Sequence, residues 1–275
     1  MIAEMTEKDL DNLRDLFSGY VKSFYLSDPK EQMNLTLKEE HTSSVCETIR
    51  LLAERLSLGP EKVLLAEAIG LFHDIGRFPQ YARYKTFRDS ISVNHGKLGA
   101  DILIEERFLG GIGREESRTV INAVRFHNAF LEPRMDYSED LFFLRLIRDA
   151  DKLDIWRIFL DFFQADENDR PMGAVLGLPD TACYSTEVLS SIQESKVVSH
   201  GLLKNLNDFK LLLTSWVFDL NFQPSFELVK EKGYIEKFFA LLPRTDDILK
   251  ASNLINDFVS GKAKAFCQAF PGSKV

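Results

Sequence analysis

Five histidines stand at positions 41, 73, 95, 127 and 200, and the first four have the type and spacing to do chemistry. Each lies on an apolar stripe of helical period. His41 leads Val45 and Ile49 at i+4 and i+8, His73 follows Ile69 at i+4, His95 precedes Gly99 and Ile102, and His127 follows Val120, Ala123 and Val124. An imidazole on such a stripe points inward, where both ring nitrogens need partners. Four of them facing one interior are most readily satisfied by a divalent metal, for which neutral imidazole is the commonest ligand. Two carboxylates complete the set: Asp74, directly after His73 in LFHDIGRF, and Asp151 in LIRDADKLDIW, which follows Leu144 and Ile147 at i+7 and i+4. From His41 to His73, His95, His127 and Asp151 the steps are 32, 22, 32 and 24 residues, so each ligand comes from its own helix apart from the adjacent pair. His200 follows Ser199 at an expected helix start, lies outside the pattern, and is read as an ordinary histidine.

Apolar residues recur at helical rather than alternating spacing almost throughout, which predicts an almost purely α-helical protein. Helices are expected over about 6–26, 39–57, 60–74, 92–107, 115–131, 138–165, 184–196, 200–220, 224–242 and 245–264. Leu58-Gly59-Pro60 sets a proline near a helix start, Gly110-Gly111-Ile112-Gly113 is expected to end a helix, and Asp169-Arg170-Pro171 to close a long one. The least regular stretch, 166–183, is the expected boundary. Three parts follow: an N-terminal helix over 1–34 packing on the core, a metal-binding helical core over 35–165, and a helical C-terminal extension of the same body over 166–275.

Composition narrows the function classes. The chain has 275 residues, 45% of them hydrophobic, and a net charge of −8. Disorder and a disulfide-stapled miniature fold are excluded, and nothing in the balance favours general nucleic-acid binding. Cys46, Cys183 and Cys267 are odd in number and far apart, as free thiols of a reducing cytoplasm would be. The acidic start MIAEMTEKDL lacks the pattern of a signal peptide, and no apolar run is long enough to span a membrane. The expectation is a cytoplasmic protein with a small-molecule or protein partner, homo-oligomerisation being left open.

The order His41, His73-Asp74, His95, His127, Asp151 resembles the HD-domain superfamily of metal-dependent phosphohydrolases over about residues 35–160. HDIGR followed by a distant DADKLD is a specific pair, whereas the His-Asp doublet alone would be common by chance. The two additional histidines match the subgroup that holds two metals. The resemblance implies an all-α HD-domain helical bundle with a C-terminal extension, in which His41, His73, Asp74 and Asp151 hold one metal, His95 and His127 the second, and Asp74 bridges. Iron, manganese, magnesium and nickel are not distinguished by this set. It implies hydrolysis of a phosphate ester through a metal-activated hydroxide, with Asp74, Arg77 and Lys152 as the catalytic residues.

Arg77 stands where many superfamily members have lysine; it keeps the charge but cannot donate a proton at neutral pH. Arg77, Lys152, Arg83 and Arg88 are the expected phosphate-binding cations. The segment FPQYARYKTFRDSISVNH, read as a loop, adds Lys85 and the aromatic residues Tyr81, Tyr84 and Phe87, a mixture suited to a phosphorylated ring system such as a nucleotide. Asp149 and Asp154 flank Asp151 and could orient a metal-bound imidazole. An HD-GYP cyclic-dinucleotide phosphodiesterase is disfavoured, because NAFLEP follows His127. The same ligand order also resembles the HD-type di-iron oxygenases, and a non-catalytic helical binding module is the third reading.

Overall fold

Capping chemistry decides where these helices begin. The structure, a computed structural model, describes residues 5–164 and 177–265. Among them are helices and no strand, which is the all-α class. The helices are α1 (Glu7–Lys22), α2 (Pro29–Arg55), α3 (Pro60–Phe72), α4 (Arg77–Tyr84), α5 (His95–Glu105), α6 (Arg114–Phe126), α7 (Ser138–Gln164), α8 (Thr186–Gln193), α9 (Leu206–Ser215), α10 (Gln223–Lys232), α11 (Tyr234–Ala240) and α12 (Asp246–Ala265). Thr6 and Asp9 form a reciprocal capping box on α1, and Asp28 accepts the Lys30 and Glu31 N–H groups ahead of α2. Pro29 and Pro60 occupy first turns, where no N–H is required, and Asn94 accepts the Lys97 N–H at the start of α5.

By compactness the chain divides between Asp154 and Ile155, inside α7. In the first unit α3 is central: Val63 through Phe72 are all buried, the pattern of a helix walled in on every side. Helix α2 lays Val45, Ile49 and Leu52 against it. Gly70 permits the close approach, since a Cβ there would stand 3.2 Å from Cys46 Cα. Helix α1 contributes Leu10, Leu13, Phe17 and Val21, with Phe17 meeting Phe72 and Phe78 edge-on at 6.0 and 5.9 Å. Helix α6 packs on both α3 and α5, and α4 lies against α2 and α5. The helices bearing the candidate ligands are thereby held by apolar contact before any polar group is considered.

In the second unit the Trp156 indole N–H donates to the Leu213 carbonyl at 2.8 Å, and α9 is buried along its whole length. Asp208 accepts from the Ser185 N–H and hydroxyl and the Lys204 N–H. Helices α8, α10 and α11 all pack on α12.

Several expected boundaries move. Helix α2 starts ten residues before the expected 39, because Asp28-Pro29 is itself a helix-start signal. Residues 78–84, read as loop, belong with Arg77 to α4, a short helix that buries Phe78, Gln80 and Tyr81. Gly113 caps the start of α6, so the glycine run opens a helix rather than closing one, and α6 stops at Phe126 rather than 131. The expected helix 224–242 breaks at Gly233, whose φ of +63° is the left-handed conformation glycine adopts without strain. The expected helix 200–220 is a 3-10 turn at His200–Leu202, then α9, then a second 3-10 turn at Trp216–Asp219. Asp169-Arg170-Pro171 and Cys267 lie outside the described residues.

Gly76 packs most tightly. A Cβ there would lie 2.2 Å from the His95 carbonyl oxygen and 2.8 Å from the Gly99 nitrogen, backbone atoms that cannot swing away. Gly76→Ala is expected to destabilise the protein by about 3 kcal/mol or more. Gly19→Ala, on an exposed turn of α1 with nothing within 4 Å of the added methyl, is expected to stabilise it by about 0.5–1 kcal/mol. Chemical denaturation of the two variants beside the parent protein checks both signs.

Candidate metal centre

Four imidazoles converge on Asp74, and each is oriented by its outer nitrogen. His73 and His127 cap the C-terminal ends of α3 and α6, where the last carbonyls lack helical partners. Their Nδ1 atoms donate to those carbonyls, Gly70 O at 2.7 Å and Val124 O at 2.8 Å. His41, within α2, and His95, in the first turn of α5, instead place Nδ1 2.7 Å from a carboxylate oxygen, of Asp154 and Asp89 respectively. All four partners only accept hydrogen bonds, so Nδ1 carries the proton in each ring. Every Nε2 is left as the inward-facing nitrogen.

The inward atoms form two sets. Ligand atoms of His41, His73 and Asp151 lie within 4.8 Å of one another, as do those of Asp74, His95 and His127. Asp74 Oδ2 is 3.7 Å from Nε2 of both His41 and His73. Its other oxygen, Oδ1, is 3.3 Å from His95 Nε2 and 3.8 Å from His127 Nε2. Asp151 Oδ1 is 3.1 Å from His41 Nε2 and 3.8 Å from His73 Nε2. Metal–nitrogen bonds of about 2.1 Å put neighbouring ligand atoms about 3.0–3.4 Å apart, the spacing that these contacts approach.

The His95–His127 pair tests whether a metal fits. The two Nε2 atoms are 3.0 Å apart, and with both protons on Nδ1 each presents a lone pair to the other. A protonated ring would relieve the conflict, but burial pushes both rings down; Arg77 adds to this for His95, and the neighbouring His95 and His73 take His127 to about 3. A cation between the two nitrogens resolves it. At the other pair, with Nε2 atoms 3.3 Å apart, burial and Lys38 press His41 down, yet its bonds to Asp151 and Asp154 outweigh them and raise it. His73 is lowered by burial, so a proton on His41 can stand where a metal would. Burial favours the neutral form of Asp74, but Lys38, His73, Arg77 and His95 outweigh it and keep the carboxylate ionised.

The structure brings together the six expected ligands His41, His73, Asp74, His95, His127 and Asp151. It treats the expected phosphate-binding cations differently. Arg77 Nη1 donates to Gln80, to the Phe87 carbonyl and to Asp89, while its Nε lies 3.4 Å from Asp74 Oδ1. Lys152 Nζ donates to the Arg148 carbonyl at 3.3 Å. Arg83 and Arg88 are exposed, Arg83 lying over the Tyr84 ring, and Lys85 pairs with Glu31 at 2.7 Å. His200 is exposed in its 3-10 turn. Asp154 does orient a ligand, with Ser44 donating to its second oxygen at 2.6 Å.

Four contributors went unread in the sequence. Lys38 Nζ donates to Asp74 Oδ2 at 2.7 Å, and its place three residues before His41, on the same helical face, was a usable signal. Asp89 and Asn128 carried none, being in irregular segments where no periodicity applies. Arg148 Nη1 donates to the carbonyls of His127 and Ala129, fixing the chain as it leaves α6.

Residues 39–156 match the HD domain family, a span that contains all six ligands and Asp154. The match is to this segment, and the His/Asp cluster within it is consistent with metal binding. Comparison with curated proteins and with solved structures returns no match.

Asp154→Asn removes the carboxylate behind His41 and is expected to weaken manganese binding at the His41–His73–Asp151 set by about 10- to 100-fold, read by calorimetric titration. Metal-free protein should also lose stability in acid. His73, His95 and His127 are all lowered, so between the ordinary histidine value near 6.5 and about 3 the unfolded chain binds protons that the folded chain does not. Their stabilising contribution is present above that window and falls as pH drops through it. His41 is raised and opposes them, its contribution being present below its ordinary value and lost as pH rises through the folded one. Chelator-treated protein should therefore melt progressively lower from about pH 6.5 toward 3, with a flatter profile in His127→Gln; a pH-independent melting point would contradict this balance.

Proposed function

We propose that this protein is a two-metal phosphohydrolase acting on a nucleotide or another small phosphate ester. One observation carries the reading: Asp74 presents one carboxylate oxygen to each histidine pair, which is what a carboxylate shared by two cations must do to offset their repulsion. His41, His73, Asp74 and Asp151 would hold one metal and Asp74, His95 and His127 the other. Two divalent cations, when bound, would bring a water to its ionised form near neutral pH and polarise a phosphoryl oxygen.

The chain's own groups do the rest. Asp151 and Lys38 are the more open members of the cluster, with 19% and 21% of their side chains exposed, so substrate would approach from their side. The Lys38 ammonium, already on Asp74 Oδ2, is the cation placed to meet a phosphoryl oxygen there. The Phe87 ring, 5.5 Å from the same ammonium, offers an aromatic surface for the rest of a nucleotide. Burial of the four imidazoles keeps bulk water from displacing them.

No helix of the described residues is long and apolar enough to cross a membrane. Cys46 and Cys183 are free thiols, and burial pushes the Cys46 thiol up to about 12, which suits an inert cysteine in a reducing cytoplasm. Residues 166–275 we read as an extension of the catalytic body.

The four-imidazole donor set also admits iron, which keeps an HD-type oxygenase as the second reading. Phosphate release from a panel of nucleotides and simple phosphate esters, run beside oxygen uptake by iron-loaded protein, separates the two. Hydrolysis should fall to background in His73→Ala and in Asp74→Ala and on chelation. Oxygen uptake with no ester cleaved would replace this reading with the oxygenase.

A further inference from the structure

Arg77 was expected to reach for substrate, yet its guanidinium is turned into the protein. Nη1 bonds Asp89 Oδ1 at 2.9 Å, and Nε, buried and without a hydrogen-bond partner, faces Asp74 Oδ1 at 3.4 Å. The other Asp89 oxygen lies 2.7 Å from His95 Nδ1 and accepts from Asn128 Nδ2 at 3.0 Å. Asp89 is thus joined to every member of one ligand set: to Asp74 through Arg77, to His95 directly, and to His127 through the residue that follows it.

Beyond the Phe87 ring, stacked on Tyr81 at 4.8 Å, the segment bearing Asp89 has little else to hold it. Its 3-10 turn, Asp89–Ile91, contains no buried residue. What fixes it is polar: Gln80 Nε2 bonds Asp89 Oδ1, Ser92 Oγ and the Val93 carbonyl at 2.9, 2.9 and 3.0 Å, and Arg77 bonds the Phe87 carbonyl. The groups that orient His41 and His73 are of another kind, namely Asp154 on α7 and the Gly70 carbonyl of α3. His127, like His73, is held by a carbonyl of its own helix, that of Val124, so the two sets differ in their carboxylates: Asp154 stands on a long helix and Asp89 on a hydrogen-bonded turn.

We propose that Asp89 is a positioning residue for the Asp74–His95–His127 metal position, and that Arg77 serves this position through Asp89 rather than binding substrate phosphate. The position then fills only when residues 85–94 are folded against Arg77 and Gln80, and by reciprocity a metal bound there orders that segment. This rests on the two-metal reading above.

Manganese is the probe. After loading and exhaustive dialysis, elemental analysis should find about two manganese ions per chain in the parent protein and about one in Asp89→Asn and Arg77→Gln. Titration should show the weaker position losing about 10- to 100-fold in affinity, the usual cost of removing a group that orients a metal-bound histidine. Hydrogen exchange at residues 85–94 should slow when the parent protein is loaded and respond much less in Asp89→Asn. Should Asp89→Asn fail to fold, Asn128→Ala removes a single donor to the carboxylate and should weaken the same position several-fold.

Two ions held with parental affinity in these variants, or exchange at 85–94 indifferent to manganese, would overturn the proposal while leaving two metals standing. Two ions retained by Arg77→Gln with a raised KM would return Arg77 to the substrate. A parent protein that takes up one ion overturns the two-metal reading and this inference with it.

Discussion

Everything in the HD domain turns on a conflict of lone pairs. Four imidazoles each turn a protonated nitrogen to an outward acceptor, and their inward nitrogens, bare at His73, His95 and His127, are pressed toward one carboxylate in a nearly dry interior. Such a cluster is unstable by itself, because a buried acceptor with no donor bears the full cost of desolvation. A divalent cation bound among them would convert that cost into ligation. Since the conflict would expel the rings if they could move, the surrounding structure is arranged to stop them moving.

Two devices do this, and each half of the site has one of each. Where a histidine ends a helix, as His73 and His127 do, the ring bonds a carbonyl of its own last turn. Position along the chain then sets orientation with no further residue. Where a histidine lies within a helix or at its start, no free carbonyl is at hand, and a carboxylate from elsewhere takes the role: Asp154 for His41 and Asp89 for His95. Those carboxylates also supply negative charge to what is a strongly cationic site once metal is present. Around them the apolar helix α3 and the aromatic contacts of Phe17, Phe72 and Phe78 provide the rigid frame.

The distribution of cations follows the same logic. On the proposed reading, an acidic chain acting on phosphate needs positive charge only at the reacting centre, where bound metals would concentrate it. The arginines of the 78–95 segment are spent on the surface, on aromatic faces or on the turn itself, and Arg77 is drawn inward by two carboxylates. Lys38, unremarkable in the sequence, donates to Asp74 Oδ2, while Arg77, expected to bind substrate phosphate, bonds Asp89.

Helical class and ligand identity were legible in the sequence because both rest on short-range periodicity. An inward position on an amphipathic helix is specified by neighbours three and four residues away, so His41, His73, His95, His127 and Asp151 could each be placed from local pattern. Family order then grouped them. Legibility failed wherever a role depends on atoms distant in the chain. Asp28-Pro29 and α4 were local signals passed over, but Asp89 has no pattern of its own; only folding sets it against Arg77, Gln80, His95 and Asn128. The cationic residues show the same limit. A long flexible side chain has many directions open to it, and the partner it takes is chosen by the electrostatics of the assembled site rather than by its neighbours in sequence. Which residues could bind a metal was therefore written in the chain, while which groups hold those ligands still, and where each charge points, was decided by tertiary packing.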